Sequence, residues 1–273
     1  MWRVLCVFDL DGVVWLAGTP IKGSPQAIER LRKAGSEVVF VTNNSTPTLA
    51  DYVERLAHAG VEAHPGELAT SAQAAATLLG HDDRVAVLGG PGLVEAVSET
   101  EAEMVPLDAD PGVVVVGRTA EFDFAQLSLA AGAIRGGARF VATNTDATFP
   151  TPAGLEPGAG ALVAFIEVAS GRRPEVAGKP NAASATLVVE RYGVPDYVIG
   201  DSPKTDGAFA TRLGSLFALV LSGVTKREDL PVTPTPAIVS GDAAQAVDTI
   251  LAGAERRERP KGNFGSKSRR RRC

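Results

Sequence analysis

Asp9 and Asp11 stand two apart, directly after the apolar run 4–8 (Val-Leu-Cys-Val-Phe). Side chains alternate along extended backbone, so both carboxylates project to the same side of the strand end. Held that close, they repel one another unless a cation lies between them. Asp201, after a later apolar run, offers a third carboxylate, and an oxygen-only set with room left for water suits Mg²⁺. The two cysteines, Cys6 inside an apolar run and Cys273 as the last residue, exclude a thiolate zinc site and a disulfide framework. His58, His64 and His81 have no metal-ligand spacing, so any metal is held by oxygen. An Asp-x-Asp pair alone is weak evidence, because acidic pairs are common in turns. A solvated turn, however, rarely sets two carboxylates against the end of a buried strand.

The elements that must position these groups are read from apolar patterning. Short continuous apolar runs without alternation, at 4–8, 38–41, 85–88, 113–116, 139–142, 197–199 and 216–221, suit parallel strands covered on both faces. Helix-length segments separate most of them. One starts at Ser24-Pro25, with Ser24 as N-cap, and closes at Gly35; another spans 48–59 and ends at Gly60. This rhythm predicts an α/β fold with a mostly parallel sheet. Ligands of such sheets lie outside the carboxyl ends of the strands. Those positions carry Asp9-Leu10-Asp11-Gly12, Thr42-Asn43-Asn44-Ser45 and Gly200-Asp201-Ser202, and Gly178-Lys179-Pro180 opens the helix before the strand 197–199. Ordinary readings compete: Thr42 and Asn43 are common turn and cap residues, Lys179 alone reads as a surface lysine, and Asp206 suits the first turn of a helix 205–213.

Taken together and in order, Phe8-Asp9-Leu10-Asp11-Gly12-Val13, Val41-Thr42-Asn43-Asn44-Ser45, Gly178-Lys179-Pro180 and Gly200-Asp201-Ser202-Pro203-Lys204-Thr205-Asp206 resemble the four motifs of the haloacid dehalogenase (HAD) superfamily of phosphohydrolases. Thr-Asn-Asn-Ser, and Pro157-Gly158-Ala159-Gly160 before Gly-Lys-Pro, resemble its type IIA branch, the NagD-like and para-nitrophenylphosphatase-like enzymes. The resemblance spans about residues 4–224. It implies a Rossmann-like doubly wound core with an inserted α/β C2-type cap, and a Mg²⁺-dependent phosphatase acting on a small phosphorylated metabolite. Asp9 is then the nucleophile that forms an aspartyl-phosphate, and Asp11 the general acid and later the base. Thr42 hydroxyl, Asn43 N–H and Lys179 hold phosphate oxygens. Asp9, Asp201 and the Asp11 carbonyl bind the metal, while Asp206 orients Lys179 or a metal-bound water. Ser202 and Lys204 depart from the family pattern, Lys204 adding positive charge near the site mouth. A phosphotransferase or mutase of the same fold, and a receiver-like phospho-Asp signalling domain, are the alternative readings.

The 273 residues, 45% apolar and 22% charged, exclude a disordered or coiled-coil chain and allow two domains. Thr42 and Lys179 are 137 residues apart, too far for one crossover. The expected layout is therefore core 1–70, cap 71–177, core 178–254 and a basic, disordered tail 255–273. The stretch 144–157 is the expected loop from cap toward core, against the alternative of a plain surface loop. That tail carries nine Lys and Arg against two Glu, a net +7, so the remaining 18 basic and 30 acidic residues carry −12. So acidic a body argues against nucleic acid as a partner, apart from weak polyanion contacts by the tail. No apolar stretch approaches the ~20 residues of a membrane helix, and Asp9 and Asp11 interrupt any signal-peptide core. A cytoplasmic protein is expected, and the resemblance allows a homodimer.

Overall fold

The computed structural model describes residues 3–258. Two parallel sheets organise it. The first has six strands, in the order Ile238–Ser240, Leu216–Val220, Tyr197–Gly200, Leu5–Phe8, Glu37–Thr42, Leu68–Thr70. Leu5–Phe8 is central and wholly buried. Its residues divide by face with the two-residue period: Cys6 and Phe8 pack with Ile28, Leu31, Tyr52, Leu56 and Val247, whereas Leu5 and Val7 pack with Val188, Phe209 and Leu213. Helices cover both faces, which is why the strand reads as an unbroken apolar run.

The second sheet has five strands, in the order Glu175–Val176, Arg139–Ala142, Val113–Val116, Arg84–Leu88, Glu103–Met104, also parallel. Its outer face packs Val114 and Val116 against Leu127, Ile134 and Ile166 of helices Phe124–Gly136 and Ala159–Ser170. Its inner residues Val85, Val113, Val115 and Val141 join the same apolar cluster as Leu5 and Val7, through Ala72, Ala74 and Ala75 of helix Ser71–Ala76.

Several expectations are corrected. Ser24 is the first residue of helix Ser24–Lys33 and not its cap; Gly23 takes that place, and the Ser24 hydroxyl donates to Val13 O at 2.8 Å. The 48–59 segment is helix Leu49–His58 with Thr48 as N-cap, closed by a reciprocal Thr48–Asp51 capping box. Much of 144–157 is an antiparallel hairpin, Thr148–Thr151 with Gly154–Pro157. The final helix runs on to Glu258, four residues into the expected tail, because Ala-Glu-Arg-Arg-Glu are good helix formers. The rest of that tail, with Cys273, lies outside the described residues.

Candidate active site

The carboxyl ends of the first sheet converge on one group of ionisable side chains. Asp9 follows Leu5–Phe8, its N–H pinned to Ile199 O at 2.9 Å, and is 9% exposed. Lys179, 4% exposed, donates from Nζ to Asp9 Oδ1 and to Asp206 Oδ1, both at 2.7 Å. Asp206 Oδ2 accepts from the Asp201 and Ser202 N–H groups, both at 3.1 Å. Asp201 Oδ2 in turn accepts from Val224 N–H. Space here is tight: a Cβ at Gly12 or Gly223 would stand 2.3 or 1.8 Å from Asp201 Oδ2.

Local backbone explains two of these placements. Lys179 precedes helix Ala182–Tyr192 by three residues and does not open it. Asp206 belongs to a π-turn, Pro203–Gly207, that leads into helix Ala208–Leu213, in place of one regular helix 205–213. The wider turn, closed by Asp206 N and Gly207 N on Ser202 O, carries the Asp206 carboxylate inward to Lys179 and away from the solvated first-turn position.

Burial sets the electrostatics. It pushes the Asp9 carboxyl well above the usual range, with Lys179 pulling the other way, and it lifts Asp201 to about 7, helped by repulsion from Asp206. For Lys179 burial disfavours the charge, but Asp206 and Asp9 outweigh it and hold the ammonium protonated above its ordinary value. Asp11 is lifted to about 6 by burial, against the Trp15 Nε1–H that it accepts on Oδ1 at 3.1 Å.

Asp9, Asp11, Thr42, Asn43, Lys179, Asp201 and Asp206, the residues singled out in the sequence, all line one cavity of about 550 Å³. Thr42 Oγ1 accepts from Asn44 N–H at 3.1 Å. The Asn43 side chain is engaged across the two sheets, donating to Asp146 Oδ2 and to Lys179 O, each at 3.1 Å.

The chain matches the haloacid dehalogenase-like hydrolase family over residues 6–103, and a HAD-hydrolase-like family over 176–246. A dihydroxyacetone phosphatase of Corynebacterium glutamicum (strain R) is 34% identical over 241 residues, covering 85% of this chain and 87% of that protein. The chain belongs to the haloacid dehalogenase-like hydrolases. Solved relatives agree with that membership. A glycerol phosphate phosphatase from Mycobacterium tuberculosis, in complex with magnesium, superposes with a TM-score of 0.83 at 34% identity, covering 89% of this chain and 75% of that one. NagD from E. coli K-12 superposes with a TM-score of 0.81 at 29% identity, covering 90% and 98%. The resemblance and the α/β fold read from the motifs are borne out.

In this hydrolase the second sheet and the hairpin beyond it supply further residues outside the motifs, and the stretch 144–157 reaches the core site as expected. Asn144, Asp146, Arg118, Phe149 and Leu155 line the same cavity. A signal existed: Thr143-Asn144-Thr145-Asp146 stands at the end of strand Arg139–Ala142 as Thr42-Asn43-Asn44-Ser45 stands at the end of strand Glu37–Thr42, whose last residue is Thr42. Lys204 is exposed between the lining residues Ser202 and Thr205 without lining the cavity itself, and Lys226 adds a further cation to the cavity wall. The π-turn aims position 204 outward as it aims 206 inward.

The donor set of this hydrolase fits a hard divalent cation. Asp9, Asp201 and Asp206 each bring a carboxylate oxygen within 4.8 Å of the others. Three carboxylates against the single Lys179 ammonium leave two negative charges in a buried, all-oxygen site. Asp206 already spends its oxygens on Lys179 and two N–H groups, so Asp9 and Asp201 are the better-placed ligands.

Proposed function

We propose that this hydrolase is a phosphatase that cleaves the phosphate monoester of a small metabolite through an aspartyl-phosphate on Asp9, with Mg²⁺ as its metal. The observation that carries the reading is the Asp9–Lys179–Asp206 chain of 2.7 Å contacts beside Asp201, at the carboxyl ends of a parallel sheet. The names of the relatives support the substrate scale, dihydroxyacetone phosphatase and acid sugar phosphatase among them. Magnesium in the mycobacterial glycerol phosphate phosphatase supports the metal.

Asp9 and Asp201, with the Asp11 carbonyl, would hold the cation, which when bound supplies charge neutralisation for Asp9 and for the phosphate. The chain's own groups do the rest. Lys179 fixes Asp9 by one oxygen and offsets the charge of an incoming phosphate. Thr42 hydroxyl and Asn43 N–H hold further phosphate oxygens at the strand end. A carboxylate oxygen of Asp9 attacks phosphorus, and the bond from phosphorus to the ester oxygen breaks. Asp11 gives its proton to that departing oxygen. Now ionised, Asp11 takes a proton from water as the water oxygen attacks phosphorus, which releases phosphate and restores Asp9. Around this chemistry, the cap hairpin Thr148–Thr151/Gly154–Pro157 excludes bulk water.

Asp9→Asn keeps the shape and removes the nucleophile. Its expected outcome is loss of at least about 10³-fold in 4-nitrophenyl phosphate turnover with an unchanged circular dichroism spectrum. Chelating Mg²⁺ should silence the wild type and adding it back should restore activity. Undiminished hydrolysis by the Asp9→Asn variant would sink the reading.

A further inference from the structure

We infer that Asp146 is a specificity residue of this site: it accepts a hydrogen bond from a substrate hydroxyl carried close to the phosphate ester, and it selects a small leaving group that is hydroxylated and bears no second anion. The inference rests on the phosphatase reading above.

Asp146 stands four residues after strand Arg139–Ala142 and lines the cavity that holds Asp9 and Lys179. Three contacts fix it there. Its Oδ2 accepts from Asn43 Nδ2 at 3.1 Å, its N–H donates to Asn144 Oδ1 at 3.0 Å, and Asn144 Nδ2 donates to Asn43 O at 2.6 Å. Asn43 Nδ2 also reaches Lys179 O at 3.1 Å, so a single side chain separates Asp146 from the backbone of the phosphate-binding lysine. An ionised carboxylate can only accept hydrogen bonds, and one from a hydroxyl is charge-assisted. A second carboxylate or phosphate on the substrate would meet repulsion there.

Neither further cation of the cavity stands against Asp146 to offset this: Lys226 lies on the core loop after strand Leu216–Val220, its Nζ donating to Gly223 O, and Arg118 is already paired. Arg118 donates from Nη2 to Glu156 Oε2 at 2.6 Å, and its guanidinium lies 4.5 Å from the Phe149 ring centroid. Glu156 cancels its charge and Phe149 covers one face, so Arg118 closes the cavity as a neutralised pair. Beside it, Phe149 and Leu155 add apolar surface to the same wall.

The test compares kcat/KM, with Mg²⁺ present, for glycerol 3-phosphate and for propyl phosphate, which has the same three carbons without the hydroxyls. The wild type should prefer glycerol 3-phosphate by roughly tenfold or more, the size of one charged hydrogen bond. Asp146→Ala should erase that preference through KM, and Asp146→Asn should recover part of it, since an amide oxygen still accepts. Equal losses on both substrates would reduce Asp146 to a prop for Asn43 and overturn the inference. So would a preference left intact in Asp146→Ala, or a wild type that favours 3-phosphoglycerate over glycerol 3-phosphate. Wild-type turnover of 4-nitrophenyl phosphate separates the two levels: its absence removes the phosphatase reading itself, whereas its presence without hydroxyl preference removes only the role of Asp146.

Discussion

At the scale of single residues, Asp9 and Asp11 differ in the company they keep. Asp9 is locked to Lys179, whereas Asp11 sees the Trp15 indole and a cavity wall, and burial lifts it to about 6. Such a carboxyl is still partly protonated near neutral pH, which is what a proton donor needs. In the proposed mechanism, formation of the phosphoenzyme from an alkyl phosphate uses protonated Asp11, so kcat/KM should fall as pH rises through about 6, approaching tenfold per unit. Asp11→Asn should remove that limb and lower kcat/KM for alkyl esters by about 10²- to 10⁴-fold. With 4-nitrophenyl phosphate, whose leaving group departs without a proton, the limb should flatten and the loss shrink. Stopped-flow or initial-rate profiles on the two esters check this, and parallel profiles would count against Asp11 as the acid.

At the scale of elements, the legible part of the site is the set of residues just beyond the strands of the first sheet. Asp9, Asp11, Thr42, Asn43 and Asp201 announce themselves because unbroken apolar runs mark buried strands, and sheet geometry puts the ligand at their carboxyl ends; Lys179, three residues past Glu175–Val176 of the second sheet, was legible only through the motif set. The resemblance gave Asp206 a part in orienting Lys179, but local residue preferences alone left it a first-turn acid, since a π-turn and an α-helix share them. The short strands Leu68–Thr70, Glu103–Met104, Glu175–Val176 and Ile238–Ser240 carry too few apolar residues to show a period. The stretch 144–157 was legible as the segment that reaches the core, but Asp146 within it and Arg118 outside it were not, because which of an inserted sheet's loop residues face the site is decided by tertiary packing. That packing turns the carboxyl ends of both sheets toward each other, and the loop after Glu37–Thr42 is held from the cap side by Gly92 N on Thr46 O, Thr46 Oγ1 on Arg118 O, and the Ser45–Thr143 hydroxyl pair. Helix Pro91–Ser98 approaches so closely that a Cβ on Gly92 would stand 1.9 Å from Pro47 O. Gly92→Ala should therefore push the helix off the Thr42–Thr46 loop, costing about 1–3 kcal/mol and lowering Tm by several degrees. Because that loop is the proposed phosphate holder, KM should rise as well; a Tm and KM matching the wild type would contradict the contact.

At the scale of the whole molecule, the two sheets are joined by more than loops. One apolar cluster runs from Leu5 and Val7 of the first sheet, through Ala72 and Ala75, to Leu93 and Val97 of helix Pro91–Ser98 and to Val113 and Val115 of the second sheet. Neither sheet completes its inner face without the other, so the chain should unfold as a unit although its sequence suggested a core interrupted by a separate cap. Leu93 is fully buried in that cluster, and Leu93→Ala opens a cavity there, costing about 2–5 kcal/mol. In a Trp2→Phe background, which leaves Trp15 as the one tryptophan, fluorescence reports the first sheet's surroundings, while far-ultraviolet circular dichroism averages both. In urea the two signals should give coincident transitions in this background, and with Leu93→Ala added both should move together to lower denaturant with the same slope. A cap that folded on its own would behave otherwise: the substitution would detach an early circular-dichroism transition and leave the Trp15 transition where it was.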